Sequence, residues 1–162
     1  EDVALRFRKL GNYKAAGLYF PDIHCLCVDL RFPSSMCHEY FHMMDFVQGS
    51  LSRMNSFSEC ESCYTKAIEE YVNSTEEGSG IRSTWFGNTK YNKDYYLMPT
   101  EIFARCGEIY LTRIRGVKNS LCKPDGGFAY PQSDELDAAI KRYYDRLLGF
   151  EETEKCAVVQ SC

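Results

Sequence analysis

Residues 36–45 form the stretch Met36-Cys37-His38-Glu39-Tyr40-Phe41-His42-Met43-Met44-Asp45, which contains the pattern His-Glu-x-x-His. The chain has three histidines, and two of them, His38 and His42, belong to this pattern. On an α-helix, residues four positions apart lie on the same face. Two imidazoles placed in this way can bind one Zn²⁺, and Glu39 beside the first can handle a metal-bound water. The alternative is a helix with packed or solvated histidines, in which Glu39 is an ordinary surface acid.

The flanking residues predict a helix of about three turns around this pattern. Pro33-Ser34-Ser35 is a start signal in which either serine can cap free N–H groups. Gln48-Gly49-Ser50 is a stop signal, because glycine suits the left-handed position after a helix. A helix that is apolar nearly all round is typical of a protein core, and a polar His/Glu face inside it needs partners, which a metal supplies. The apolar residues of this segment are Tyr40, Phe41, Met43, Met44, Phe46 and Val47.

Length and composition favour one globular domain, which we expect to span residues 1–150, with a loose C-terminal tail at 151–162. The chain has 162 residues, of which 44% are hydrophobic, and a net charge of −4. This balance argues against nucleic-acid binding, and no apolar run is long enough for a membrane span. The sequence has no signal peptide and begins at Glu1 without Met. We expect a trimmed segment that is a monomer or a domain of a larger protein.

The nine cysteines allow two interpretations. A disulfide-stapled secreted domain is one, but a chain with this much apolar content does not need such staples. Buried free thiols are the preferred interpretation and point to the cytoplasm. A second metal site built from Cys25, Cys27, Cys60 and Cys63 is a minor alternative, since the Cys-x-x-Cys at 60–63 has no second copy to match it.

The remaining sequence predicts an α+β fold in which a small antiparallel sheet or hairpin packs on the active-site helix and about three further helices. Residues 1–16 suggest a strand or a short helix, Gly17 to Phe20 a strand, and His24 to Phe32 a second strand completing a hairpin. His24 itself is expected on the strand surface.

The further helices are predicted from caps and stop signals. Capping-box patterns at Ser58/Glu61 or Ser56/Glu59 open a helix that ends near Asn73. Pro99 opens the next helix and Gly116 ends it, whereas Ser133 caps the last helix and Gly149 stops it. The segment between them, at 81–96, is expected to be irregular.

A catalytic zinc usually has three protein ligands and one open position. No histidine follows His42, and position 48 is Gln48, so the pattern with a third histidine or aspartate at that position fails. Asp45 as the third ligand is a less favoured alternative. Glu101 lies in the first turn of the later helix and is the candidate third ligand. The alternative is that Glu101 only complements the helix dipole in solvent.

Two motifs together carry a family resemblance. His38-Glu39-x-x-His42 followed at a distance by Thr-Glu-x-Phe-Ala resembles the gluzincin group of zincin metallopeptidases, including lethal factor-like enzymes and the zincin-like domains of large phage and mobile-element polyproteins. The resemblance extends from about Gly17 to Leu148 and includes Tyr-x-x-Pro-Thr-Glu-x-Phe-Ala-Arg at 96–105. It implies a zincin-like fold with Zn²⁺ bound by His38, His42 and Glu101, and Glu39 as general base.

The resemblance also implies a tyrosine that stabilises the oxyanion, shortly before the ligand glutamate. Tyr95 and Tyr96 lie six and five residues before Glu101, and Tyr91 lies ten before it. The spacing does not choose among them, and each is equally well explained as a core or surface aromatic.

The sequence departs from the family where thermolysin-like enzymes place an aspartate four residues after the ligand glutamate. This position is Arg105. Asp45 shares a helix face with His38 and His42 and could orient an imidazole instead. An Asp45–Arg105 salt bridge is an equally good interpretation. Glu108 is expected to pair with Arg105.

Three functions are compatible with these features. A zinc-dependent metallopeptidase would hydrolyse a polypeptide substrate with a zinc-activated water, Glu39 acting as general base. In that case His24–Phe32 could be an edge strand on which an extended substrate pairs. The first alternative is a zinc-binding but non-proteolytic interaction module of a larger polyprotein. The second is a helical interaction domain without metal.

Overall fold

A computed structural model of the chain describes residues 2–74, 76, 78–123 and 126–150. Within these residues the protein has an α+β fold, with one three-stranded sheet and six helices. The tail predicted at 151–162 lies outside the described residues. The strands are β1 (Ala4–Arg8), β2 (Gly17–Phe20) and β3 (Cys25–Asp29). The helices are α1 (Met36–Val47), α2 (Ser58–Asn73), α3 (Arg82–Trp85), α4 (Lys93–Tyr96), α5 (Pro99–Ile109) and α6 (Asp134–Leu147).

The sheet has the strand order β1-β3-β2 and is mixed. The predicted hairpin is present, because β2 and β3 pair antiparallel, but β1 adds to the other side of β3 in parallel. A purely antiparallel sheet was therefore the wrong expectation. The edge assignment for His24–Phe32 was also wrong, since β3 is the central strand and all five of its residues are buried. His24 lies outside the strand, in a left-handed conformation (φ 43°) that ends the turn Pro21–Ile23.

The main core lies among helices α1, α2, α5 and α6. Aromatic rings of four segments meet there, with Phe41 and Phe57 each contacting Phe103 at centroid distances of 6.4 and 5.1 Å. Tyr144 of α6 completes the cluster, 5.5 Å from Phe41. Helix α5 approaches α1 closely at Gly107, where an added Cβ would lie 2.4 Å from the Phe41 ring. This close approach fixes the spacing of the two helices that carry the candidate site.

The predicted helix signals agree with the structure at the end of α1 and at the start of α6. Gly49 adopts the left-handed conformation after α1 (φ 86°), and the Ser133 hydroxyl accepts a hydrogen bond from the Leu136 amide, both as predicted. The expected serine caps of α1 and α2 are wrong. The Ser35 hydroxyl donates instead to the carbonyls of Ala16 and Phe32, and the Ser58 hydroxyl donates to the Asn55 carbonyl.

Two other expectations need correction. Helix α1 is only half buried, because Tyr40, Phe46 and Val47 are 39%, 53% and 53% exposed. It packs on the sheet and on α5, and the opposite face remains in solvent. The segment at 81–96, expected to be irregular, contains the single-turn helices α3 and α4.

The seven cysteines in the described ranges are all free thiols, and six of them are buried. Cys25 and Cys27 belong to a small cluster with Leu10 on the sheet, whereas Cys60 lies in the helical core. Among the described residues the four cysteines of the proposed second metal site do not form a metal-binding group. No helix in the same part of the chain is long and apolar enough to cross a membrane.

Candidate metal centre

The packing of α1 against α5 brings together the three residues predicted as ligands. His38 and His42 project from the first and second turns of α1, and Glu101 projects from the first turn of α5. The Nε2 atom of His38 lies 3.5 Å from Glu101 Oε2, and the Nε2 atom of His42 lies 3.4 Å from Glu101 Oε1. The two Nε2 atoms are 3.0 Å apart. In the described part of the chain this is the one group of histidine, cysteine and carboxylate side chains arranged to hold a metal ion.

The spacing of these donor atoms fits a small tetrahedral cation. Nitrogen and oxygen ligands of Zn²⁺ lie about 2.0–2.1 Å from the metal, so two ligands at the tetrahedral angle are about 3.3–3.4 Å apart. The two distances to Glu101 are close to this value, but they end on different carboxylate oxygens, so an ion bound through one Glu101 oxygen matches one of them directly. The distance between the imidazoles is shorter by a few tenths of an ångström, and a small rotation of either ring removes the difference. Two imidazoles and one carboxylate also leave a fourth position open.

Glu108 fixes the orientation of His38. Its Oε2 atom lies 2.8 Å from His38 Nδ1 and accepts a hydrogen bond from the Tyr130 hydroxyl at 2.7 Å. Because a carboxylate only accepts, Nδ1–H of His38 must be the donor, which leaves Nε2 available as a ligand. Burial lowers the pKa of His38, but the hydrogen bonds to Glu101 and Glu108 outweigh it and raise this pKa to about 10. The predicted pairing of Glu108 with Arg105 is wrong, because Glu108 contacts His38 and Tyr130 and Arg105 contacts Glu101.

Asp45 does not serve the site in any of the ways expected. Its carboxylate accepts hydrogen bonds from the backbone N–H and the hydroxyl of Ser52, each at 2.7 Å. It therefore closes the turn after α1. Neither an imidazole nor Arg105 is its partner.

Arg105 binds the candidate ligand itself. Its Nη2 donates to Glu101 Oε2 at 2.7 Å, and its Nη1 donates to the Tyr96 carbonyl at 3.2 Å. The guanidinium is buried, and its carbon lies 5.2 and 4.8 Å from the ring centroids of Tyr95 and Tyr96. The arginine thus holds one carboxylate oxygen of Glu101. Burial would raise the pKa of Glu101, but hydrogen bonds to both histidines keep it well below the ordinary value.

Glu39 follows the first ligand and is 9% exposed. Burial raises its pKa above the ordinary value for a glutamate, and the charges of the neighbouring histidines offset part of this effect. The first residue of β2, Gly17, contacts it closely. A Cβ at Gly17 would lie 2.4 Å from Glu39 Cγ and 2.9 Å from its Oε1. The strand therefore forms one wall against which the Glu39 carboxylate rests, and no spacing rule in the sequence could have identified Gly17.

The two tyrosines proposed for the oxyanion differ in their surroundings. Burial and the nearby Glu101 carboxylate raise the pKa of Tyr95, so its hydroxyl stays protonated and can donate. The Tyr96 ring stacks on Trp85 at 6.2 Å and meets Phe128 at 4.7 Å, and burial raises its pKa as well. Both line the cleft that contains the candidate ligands. Tyr130 also belongs to the site, since its hydroxyl donates to Glu108, and no motif in the sequence marks it.

The site lies at the base of a cleft of about 1130 Å³. Strand β2 borders this cleft, together with the segment after α3 and the loop that precedes Tyr130. Comparison of the chain with protein-family models, with curated proteins and with solved structures finds no match.

Proposed function

We propose that the protein is a zinc-dependent metallopeptidase with a zincin-like arrangement of its site. The observation that carries the proposal is the meeting of His38 and His42 with Glu101 at distances that suit tetrahedral coordination. The buried carboxylate of Glu39 next to the first histidine supplies the second requirement, a base beside the open ligand position. A structural zinc site would instead use four protein ligands.

Each residue of the site has its own role in the proposed reaction. Bound zinc would lower the pKa of a coordinated water to about 7 and polarise the substrate carbonyl. Glu39 accepts the proton of the attacking water and passes it to the leaving amine, for which its raised pKa suits it. Glu108 keeps His38 in the tautomer that presents Nε2, and Arg105 holds Glu101 in place. Tyr95 and Tyr96 both line the cleft and both have a raised pKa, so either hydroxyl stays protonated and can donate to an oxyanion.

The substrate would bind in an extended conformation. Strand β2 borders the cleft, and within the described strands it pairs only with β3, so its other edge is free. Main-chain hydrogen bonds to a free strand edge are a common way of binding peptides. In this proposal the extended substrate therefore pairs with β2, and not with β3 as the sequence suggested.

The test has two parts, a metal measurement and a cleavage measurement. Purified protein should contain one zinc per chain by elemental analysis, and His42→Ala should lose it. The zinc-loaded protein should cleave members of a quenched-fluorescence peptide library, and a chelator should stop the cleavage. Glu39→Gln should keep the zinc and lose cleavage, whereas Glu70→Gln, an exposed carboxylate on α2, should keep both.

Each outcome separates one function from another. Zinc binding without cleavage of any peptide would contradict the peptidase proposal and support a non-proteolytic zinc module. Absence of zinc after reconstitution would contradict both and support a metal-free domain. Cleavage that survives Glu39→Gln would refute the role of Glu39.

A further inference from the structure

The mouth of the cleft carries positive charge that the metal site does not use. Arg53 follows the end of α1, Lys90 lies between α3 and α4, and Lys123 lies in the loop after α5. All three side chains are exposed, and all three line the cleft. Within the described residues none of them forms an ion pair with a carboxylate. The chain has a net charge of −4, so this rim is opposite in sign to the protein as a whole.

Two of these cations are held beside aromatic rings of the cleft wall. Lys90 Nζ lies 4.6 Å from the ring centroid of Tyr91, and Lys123 Nζ lies 5.2 Å from that of Tyr130. Such contacts orient a lysine while leaving its ammonium hydrated and able to meet an anion. Tyr130 hydrogen-bonds Glu108, which contacts His38, so Lys123 packs on a side chain that belongs to the candidate metal centre.

The carboxylates of the same cleft are already bound to other groups or buried. Asp45 accepts from Ser52, Glu101 accepts from Arg105, and Glu108 accepts from Tyr130. Glu39 is buried beside the histidines. A substrate entering the described part of the cleft therefore meets exposed cations at the rim and no exposed carboxylate lining it.

We infer that the cleft selects extended polypeptide segments rich in aspartate and glutamate near the cleaved bond. The inference rests on the proposed function and adds the class of substrate. An exposed ion pair typically changes affinity by a factor of about 1.5 to 5. Three such contacts correspond to about a tenfold preference for an acidic segment over a neutral one, and salt should reduce this preference.

Binding and cleavage should be measured separately. For binding, zinc-loaded Glu39→Gln protein is titrated into three fluorescein-labelled peptides of equal length, with acidic, neutral or basic side chains, and fluorescence anisotropy is followed at low and high salt. For cleavage, the wild-type protein is given a peptide library with the same three classes of flanking residue. We expect the acidic peptide to bind about tenfold more tightly than the neutral one and the acidic library members to be cleaved fastest.

Charge-reversal variants test whether Arg53, Lys90 and Lys123 cause the preference for acidic peptides. In the triple variant Arg53→Glu/Lys90→Glu/Lys123→Glu, the ratio of affinities for the acidic and neutral peptides should fall by about tenfold or more. The matched triple variant Arg6→Glu/Lys9→Glu/Lys118→Glu has the same change in charge at exposed positions outside the cleft and should keep it within about twofold. Circular dichroism and zinc content show whether each variant is folded. The glutamine versions of the cleft substitutions provide a milder second series.

Two results of the binding experiments would overturn the inference. One is equal binding of the three peptides, and the other is an equal loss in the matched variant. Cleavage without any preference for acidic flanks would refute this inference and leave the peptidase function intact. Selective binding of the acidic peptide without cleavage by the wild-type protein would refute the peptidase and keep the charge preference of the cleft.

Discussion

Gly17 should control the position of Glu39, the proposed general base, although Gly17 carries no side chain of its own. It begins β2, and the three heavy atoms nearest to a Cβ at this position all belong to Glu39, at 2.4, 2.9 and 3.0 Å. Favourable contacts between carbon atoms lie at about 3.5–4.0 Å. In Gly17→Ala the side chain of Glu39 must therefore retreat by about 1 Å. Gly17 does not have a positive φ, so alanine introduces no backbone strain of its own.

A displacement of this size at a catalytic group lowers rates by about 100-fold, which corresponds to about 2.7 kcal/mol of transition-state free energy. We expect kcat/KM of Gly17→Ala to fall by about this factor. Zinc affinity should stay within about twofold, because the three atoms that the methyl group meets most closely belong to Glu39 and to no candidate ligand. The substitution therefore separates positioning of the base from construction of the metal site.

The assay compares kcat/KM on a cleaved library peptide with zinc affinity from chelator competition. Gly11→Ala is the matched control, since a Cβ at Gly11 meets nothing within 4 Å. A Gly17→Ala protein that is folded and zinc-loaded, with kcat/KM within about threefold of the wild type, would refute the argument. An equal loss of activity in Gly11→Ala would show that the effect is not specific to Glu39.

Three further predictions concern the ligands and the helix pair. Glu108→Gln should weaken zinc binding by about 10- to 100-fold in chelator competition, because it weakens the hold on His38 Nδ1, and an unchanged Kd would contradict this role. The pKa of His38 is raised to about 10 in the metal-free protein, so zinc must displace a proton from it, and affinity should rise about tenfold per pH unit between pH 7 and 9. The same competition repeated across this range tests the point, and a flat profile would contradict it. Gly107→Ala should lower the free energy of unfolding by about 1–3 kcal/mol in urea titrations, because its Cβ would lie 2.4 Å from the Phe41 ring, whereas a change below about 0.5 kcal/mol would refute the close approach of α5 to α1.

Sequence signals located the four longer helices and the hairpin, because these depend on residues close together in the chain, but they missed the single-turn helices α3 and α4. Helix ends at Gly49 and Ser133 are examples, since each depends on one residue and its neighbours. The order of the strands in the sheet could not be predicted in this way. The alternation of β1 and β3 predicts strands but contains nothing that tells whether β1 pairs with β3 or with β2. The parallel pairing of Ala4 with Cys25 joins residues far apart in the sequence, and only the assembled fold reveals it.

For the same reason, the sequence could not predict which side chains contact one another around the candidate site. Asp45 shares a helix face with His38, yet seven residues of helix separate them by about 10 Å along the axis. Its carboxylate instead meets Ser52, which the turn after α1 brings close. Periodicity gives the face of a residue and not the neighbour opposite it. The neighbour depends on how α1 and α5 cross, which is set by contacts such as that between Gly107 and Phe41.

Arg105 and Glu108 together show how a site without the expected aspartate can still be held rigidly. An arginine cannot orient a histidine by accepting its proton, so that task falls to Glu108, which accepts from His38 Nδ1. Arg105 fixes the carboxylate ligand instead, through Glu101 Oε2. Because the arginine is buried, its charge balances the carboxylates gathered beside it, which would otherwise repel one another. Two side chains therefore divide the support of the candidate site: Glu108 orients the imidazole of His38, and Arg105 holds the carboxylate of Glu101.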